Sequence, residues 1–299
     1  MSIPKKVVTL CLGLVLLATA GMAACQTSPT TDTSPITKTP LTSQEILSNT
    51  LRANTTVQTV KFSGNTTVTV EVTGGTYPSM KPTARDFDVQ LDNGHKAFQM
   101  TQTVDPVIVG TPRIYYIVDG LSYINYESRV EGGEWKKLKI NQVWAGYNEV
   151  EQQMKFLKTT ANVTLQQDEN VGGIDCYVLV VNPDMKVLTN WVLQQDYYLN
   201  LLGRGPGSSG NLIPIDLAGM FKIVSIKQWI AKDTYLIVRT DIQAVLEMSP
   251  RDIRANDGDF EKMTVEVKGK CKFFDYNQPI TIELPEAARS ATTIPTLPD

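Results

Sequence analysis

The sequence predicts an α+β fold in which a single curved antiparallel sheet has helices packed on its concave face. Long stretches in both halves of the chain alternate apolar and polar residues, which is typical of half-buried strands. Turn signals such as Asn93-Gly94 and Asp119-Gly120 join several of these stretches into hairpins. The few segments with helical spacing fall before the first set of strands and between the two sets. One sheet with its helices segregated to one face accounts for this order.

The first half of the chain is predicted as one helix followed by an antiparallel meander. Thr42-Ser43-Gln44-Glu45 has the pattern of a capping box, so a helix should run from there to about Ala53. Apolar and polar residues then alternate in six segments, and each predicts a strand. These segments are Val57 to Val72, Phe87 to Leu91, Ala97 to Met100, Arg113 to Val118, Leu121 to Arg129 and Glu131 to Ile140.

The second half is predicted as helices set among further strands. Apolar residues at helical spacing predict helices over Asn141–Leu157 and from Pro183, which suits the first position of a helix. A shorter apolar segment runs from Ile213 to Phe221. The predicted strands are Val163 to Gln167, Ile174 to Val181, Ile223 to Ile230, Tyr235 to Leu246, Phe260 to Phe274 and a final Ile280 to Leu284.

The N-terminal residues have the layout of an export signal. Lys5 and Lys6 precede an apolar run, Val7–Ala20, which is shorter than the about 20 residues of a membrane-spanning helix. The run leads into Gly21-Met22-Ala23-Ala24-Cys25, which resembles the lipobox of bacterial lipoproteins. This resemblance implies a signal peptide over residues 1–24, lipidation of Cys25, and a chain anchored by palmitate-type acyl chains on the extracytoplasmic face of the cell membrane. An uncleaved signal anchor and an ordinary secretory peptide are the alternatives.

Composition divides the remainder of the chain. Residues 25–40 are rich in Thr, Ser and Pro with almost no large apolar side chain, which predicts a flexible tether. Residues 41–287 carry the alternating pattern and form the predicted domain, and residues 288–299 form a predicted polar tail. The net charge is −3, and positive and negative residues are interspersed along the chain. The sequence therefore predicts no nucleic-acid partner.

Two cysteines remain in the predicted domain, Cys176 and Cys271. An even pair in an oxidising compartment is consistent with a disulfide. Its loop of about 95 residues would stabilise the fold by about 4 kcal/mol in the chain-entropy model. Two buried free thiols are the alternative, and sequence alone does not decide between them.

The residues that enzymes use are poorly placed in this sequence. His95, the single histidine, lies beside the Asn93-Gly94 turn, where no scaffold would hold it against a nucleophile or a metal. Gly205–Gly210 matches a dinucleotide-binding motif by letter, but a helical segment precedes it where the mechanism needs a strand. The sequence therefore predicts no enzyme, no metal site and no cofactor.

Aromatic residues gather around one strand that is apolar on both faces, Arg113–Val118. Such a strand needs cover on both sides or lines a cavity on one. We predict a hydrophobic chamber able to admit an acyl chain; an ordinary packed core is the alternative. The candidate lining residues are Tyr116, Trp144, Tyr147 and Trp191.

Three stretches of the second half resemble motifs of the LolA-like and LppX/LprG-like bacterial lipoproteins. They are Val171–Leu179 with the following Asn182-Pro183-Asp184, Trp229–Arg239, and Phe274–Pro285. Ala231 and Ile237 stand where that family usually has Asp and Pro. These motifs form turns and strand edges, so no catalytic residue transfers with them.

The resemblance implies a half-open β-barrel plugged by helices and a role as a carrier of lipid or of lipoprotein acyl chains. We therefore expect a membrane-anchored lipoprotein that binds an apolar ligand in a hydrophobic cavity and shields it outside the membrane. The alternative is a non-enzymatic envelope sensor or protein-interaction module of the same fold, with an envelope protein as its partner.

Overall fold

The computed structural model of the chain describes residues 40–75, 79, 81–106, 112–126, 134–139, 162–186, 188–189, 217–252 and 260–294. In these ranges twelve strands form one sheet. The strands of the first half are β1 (Thr59–Thr73), β2 (Thr83–Asp92), β3 (Ala97–Asp105), β4 (Pro112–Val118), β5 (Leu121–Tyr126) and β6 (Glu134–Lys139). Those of the second half are β7 (Asn162–Val171), β8 (Ile174–Asn182), β9 (Phe221–Ala231), β10 (Ile237–Met248), β11 (Lys262–Phe274) and β12 (Thr292–Ile294).

The order across the sheet is β12-β6-β5-β4-β3-β2-β1-β11-β10-β9-β8-β7. Every neighbouring pair is antiparallel except β12 and β6, which run parallel. The sheet is curved, and it does not close, since β12 and β7 stand at its two ends. The predicted single curved antiparallel sheet is therefore confirmed, although the described residues are more β-rich than the predicted α+β balance.

Tight turns connect the hairpins where the sequence predicts them. Asp119 and Gly120 between β4 and β5 both have positive φ, as do Gly172 and Gly173 between β7 and β8. Two positive φ angles in succession belong to the type I′ turn, whose twist matches that of the flanking strands. The local sequence therefore determines these two connections.

Helix α1 (Ser43–Asn54) begins at the predicted capping box. The Glu45 amide donates to Thr42 Oγ1 at 3.2 Å, while the Thr42 amide donates to Glu45 Oε2 at 2.8 Å. Ile46 and Leu47 are buried among the sheet residues of the main hydrophobic cluster. The first predicted helix is confirmed, and its apolar side packs against the sheet.

Two further helices lie in the described residues, α2 (Leu217–Met220) and α3 (Glu286–Arg289), each of four residues. The helix predicted over 141–157 lies outside the described residues, and only residues 185–186 and 188–189 of the one predicted from Pro183 are described as helical. Across the described ranges no helix is both long enough and apolar enough to span a bilayer.

The C-terminal segment differs from its prediction. The predicted strand Ile280–Leu284 does not form, and Ile282 and Leu284 pack instead against a cluster on β4 and β5. The predicted polar tail starts inside α3, where Ala288 is fully buried, and continues into β12 beside β6. The strand prediction is wrong because alternating Ile and Leu residues can pack on the face of a sheet as well as form a strand within it.

No disulfide joins Cys176 and Cys271; both are buried free thiols. Cys176 lies on β8 and Cys271 on β11, with β9 and β10 between them. Three strand spacings amount to about 14 Å, far beyond the reach of a disulfide. Cys176 also packs in a cluster separate from that of Cys271. The buried-thiol alternative is therefore the correct one.

Candidate functional site

One face of the sheet carries a continuous apolar surface, which we call the inner face. It crosses nine neighbouring strands from β5 to β8, and its side chains form a single buried cluster with Ile46 and Leu47 of α1. One member from each strand, in order across the sheet, is Ile124, Tyr115, Met100, Val89, Val70, Val267, Leu246, Ile226 and Leu179. Strand periodicity explains the surface, because alternate residues of each strand point to the same side.

The residues at the centre of the inner face are polar or small, whereas the residues around them are large and apolar. Cross-strand register places Gln228 of β9 opposite Thr240 of β10, and Thr240 opposite Cys271 of β11. Cys271 in turn lies opposite Gly64 of β1. Gln228 and Thr240 are 1% and 2% exposed. These residues form a short row across four strands, and we call it the central row.

Position 64 requires a glycine because neighbouring atoms lie too close to leave room for a side chain. A Cβ at this position would lie 2.2 Å from the Lys270 carbonyl oxygen and 2.6 Å from Phe87 Cζ. The Phe87 ring therefore sits over the space that any other residue at position 64 would fill. The sheet can bring β1, β2 and β11 together here only with a glycine.

Three buried side-chain oxygens of the inner face have no hydrogen-bond partner in the described part of the chain. They are Gln228 Oε1, Thr240 Oγ1 and Thr66 Oγ1. An unpaired buried polar group costs about 1 to 3 kcal/mol, so native proteins rarely keep one without a use for it. Two of these oxygens, those of Gln228 and Thr240, belong to the central row. The central row is therefore a polar patch with unused hydrogen-bonding groups inside an apolar surface.

The candidate chamber residues do not gather on this face as predicted. Tyr116 lies on the opposite face, which we call the outer face, since its neighbours Tyr115 and Ile117 belong to the inner cluster. It packs with Tyr123 and Ala288. The prediction that Tyr116 lines the chamber is wrong because β4 is apolar on both faces, and only register decides which face is which. The other candidates, Trp144, Tyr147 and Trp191, lie outside the described residues.

Charged residues surround a buried tryptophan on the outer face of the second half. The Trp229 indole N–H donates to Glu169 Oε2 at 2.7 Å, and Lys227 Nζ donates to Glu169 Oε1 at 2.8 Å. The Arg239 guanidinium carbon lies 4.3 Å from the centre of the Trp229 ring, and Arg239 also pairs with Asp241. The hydrogen bonds from Lys227 and Trp229 lower the pKa of Glu169. The cluster is satisfied internally, which indicates a structural role.

Two further reactive groups in the described part of the chain, Cys176 and His95, are poorly suited to catalysis. Burial raises the pKa of Cys176 to about 11, so its thiol stays protonated and is a weak nucleophile. His95 is at the hairpin tip, where its side chain is exposed and Nδ1 lies 2.8 Å from Asp92 Oδ2; this hydrogen bond raises its pKa. Within the described ranges, no group of three His, Cys, Asp or Glu side chains could hold a metal ion.

The sequence-based candidates omit the central row, although its signal is present in the sequence. Gln228 falls between Ile226 and Ile230, and Thr240 falls two residues before Ile242, so each polar residue occupies an apolar phase of its strand. What the sequence does not show is that the two strands pair so that these residues become direct neighbours.

The chain matches no protein-family model, and no curated protein matches its sequence. It resembles several solved structures in fold. The lipoprotein LppX of Mycobacterium tuberculosis is 13% identical with a TM-score of 0.43, and the match covers 81% of this chain and 100% of that one. LprF from Mycobacterium bovis is 14% identical with a TM-score of 0.42, over 82% of this chain and 97% of that one.

A further similar structure is a putative outer membrane lipoprotein-sorting protein domain from Vibrio parahaemolyticus. It is 9% identical with a TM-score of 0.20, and the match covers 74% of this chain and 87% of that one. The solved structures to which this chain is similar thus include LppX and LprF lipoproteins and a lipoprotein-sorting domain, the kinds of protein that its sequence motifs resemble.

Proposed function

We propose that the chain is a membrane-anchored lipoprotein that holds an apolar ligand, such as the acyl chains of a lipid or of a lipoprotein, against the inner face of its sheet. The Cys25 lipid anchor keeps the domain at the extracytoplasmic face of the cell membrane, where free acyl chains need shielding from water. Helices on the concave side of the sheet cover the bound chains. The protein carries or shields its ligand without changing it chemically.

One observation carries this proposal. The inner face is apolar across nine strands, yet its centre is a row of small and polar residues with unpaired oxygens. A packed protein core would place large apolar side chains at the centre and would pair its polar groups. A surface that is shared with a second molecule fits the unpaired oxygens, because the ligand supplies the missing hydrogen-bond partners.

Hydrophobic burial is sufficient to drive uptake. Each methylene removed from water contributes about 0.8 kcal/mol, so a long acyl chain gains about 10 kcal/mol before the cost of ordering it. Few polar contacts are then needed, and the ligand can be selected mainly by its length and shape.

A bulky residue on the inner face should compete with the ligand. Ala244 is 1% exposed and lies between Val224 and Val267 in the cross-strand register. We expect Ala244→Phe to lower the affinity for an environment-sensitive fluorescent lipid by about tenfold, because the ring takes space that the acyl chain uses. The fold should stay intact. Fluorescence titration of the purified full chain and thermal unfolding measure the two effects.

The neighbouring residue Val245 provides a matched control, since it lies on the outer face of the same strand. Val245→Phe should leave lipid binding unchanged. If the inner face is instead packed solid against the chain's own helices, Ala244→Phe destabilises the fold by about 1 to 3 kcal/mol and the wild type binds no lipid probe. That result would replace carriage with the sensor or protein-interaction role.

A further inference from the structure

We propose that Gln228 and Thr240 form a polar subsite that binds a free hydroxyl group within the apolar body of the ligand. This inference rests on the proposed function, because it names the ligand class that the inner face selects. The subsite consists of the two members of the central row whose side-chain oxygens are buried and unpaired within the described residues.

The two side chains are placed to bind one group together. They are direct cross-strand partners on β9 and β10, which puts their Cα atoms about 5 Å apart. Both point to the inner face, as do Ile226 and Ile242 one step further along the same strands. The apolar surroundings exclude bulk water, so a hydrogen bond formed here is stronger than one at the protein surface.

The chemistry of the two oxygens defines the ligand group. A glutamine side-chain oxygen only accepts hydrogen bonds, whereas a threonine hydroxyl both donates and accepts. Gln228 Oε1 therefore needs a donor from the ligand, and the Thr240 hydroxyl can donate to the same ligand oxygen. An alcohol meets both demands with one atom. An ester or an ether provides acceptors only, and a hydrocarbon provides neither.

The consequence for selectivity follows from the cost of an unpaired group. A ligand without a donor leaves Gln228 Oε1 buried and unsatisfied, while a hydroxylated ligand satisfies it. A site of this kind rejects the analogue that lacks the hydroxyl more strongly than a purely apolar pocket could. The inner face should thus select hydroxylated acyl lipids from the many apolar molecules of a membrane.

The test compares two fatty esters that differ by one hydroxyl, methyl ricinoleate and methyl oleate. Each is added to the purified full chain and competes with a bound fluorescent lipid. We expect the wild type to prefer methyl ricinoleate by about tenfold, the value of one hydrogen bond. Thr240→Val and Gln228→Met keep side-chain size, and each should reduce that preference to about twofold or less.

Thr66→Val is the matched control, because Thr66 is also a buried threonine of the inner face with an unpaired hydroxyl. Thr66 lies on β1, two strands away from β10 and two residues along the strand from Gly64. Its Cα is therefore about 12 Å from that of Thr240. The preference for methyl ricinoleate should survive this substitution. Circular dichroism checks that each variant is folded, and if one variant fails to fold, the other together with the wild-type preference decides the question.

Three outcomes would overturn the subsite. If the wild type binds both esters equally, the proposed function stands but the subsite does not exist. The same holds if the preference persists in both variants, since other residues would then recognise the hydroxyl. If neither ester binds, the proposed function itself fails and the subsite falls with it.

Discussion

Replacing Cys25 with serine should abolish acylation of the chain and, with it, the proposed lipid anchor. A serine hydroxyl cannot take the place of the thiol that receives the diacylglyceryl group in bacterial lipoproteins. We expect incorporation of an alkyne-tagged fatty acid into the chain to fall by at least about tenfold, because the residue proposed to accept the acyl groups is gone. Labelled cells, fractionated into membrane and soluble parts, provide the measurement.

The predicted signal peptide provides a control, Cys11, which lies within the apolar run Val7–Ala20. Cys11→Ser should leave the acyl label and the membrane fraction unchanged. The label is the decisive readout, since an unprocessed chain could still adhere to the membrane through its leader. An acyl label that persists in the Cys25→Ser chain would show that Cys25 is not the lipidated residue.

Gly64→Ala should be among the most destabilising single substitutions in the sheet. The new Cβ would lie 2.2 Å from the Lys270 carbonyl oxygen and 2.6 Å from Phe87 Cζ. The phenylalanine ring can shift, but the backbone oxygen belongs to the neighbouring strand β11 and cannot move without opening the sheet. We expect a loss of about 3 kcal/mol in the free energy of unfolding, measured by urea denaturation.

Gly173→Ala distinguishes this steric effect from the general cost of replacing a glycine. Gly173 has φ +92° and no atom within 4 Å of its added Cβ, so only backbone strain, about 1 kcal/mol, should appear there. Phe87→Leu combined with Gly64→Ala should recover only the part of the loss due to the ring. If Gly64→Ala is as stable as the wild type, the close approach of β1, β2 and β11 is not as described.

The architecture was largely predictable because its signals are local. Alternation over ten or more residues identified β1, β10 and β11, and the dipeptides Asn93-Gly94 and Asp119-Gly120 identified two hairpins. A capping box located the start of α1. Each of these signals depends on residues within a few positions of one another, so no knowledge of the rest of the chain is needed.

The errors share one physical cause, which is long-range register. The sequence of β4 does not show on which face Tyr116 lies, because β4 is apolar on both sides and its phase is fixed only by pairing with β3 and β5. The sequence alone allows a disulfide between Cys176 and Cys271. The strand order excludes it, because two strands lie between them.

The same dependence on strand pairing explains why the sequence does not predict the central row or the positions of Ile282 and Leu284. Gln228 and Thr240 become neighbours only through the pairing of β9 with β10. Ile282 and Leu284 alternate like strand residues but pack on the outer face instead of joining the sheet. The face on which a side chain lies is therefore what sequence alone predicts least well in this fold.

The most direct test of the account is native mass spectrometry of the full chain, purified from its own membrane without added lipid. We expect a population with one apolar molecule bound per chain in addition to the acyl groups proposed for Cys25, released by organic solvent and depleted in the Ala244→Phe variant. A chain that carries only its covalent acyl groups, in wild type and variant alike, would contradict a ligand held on the inner face.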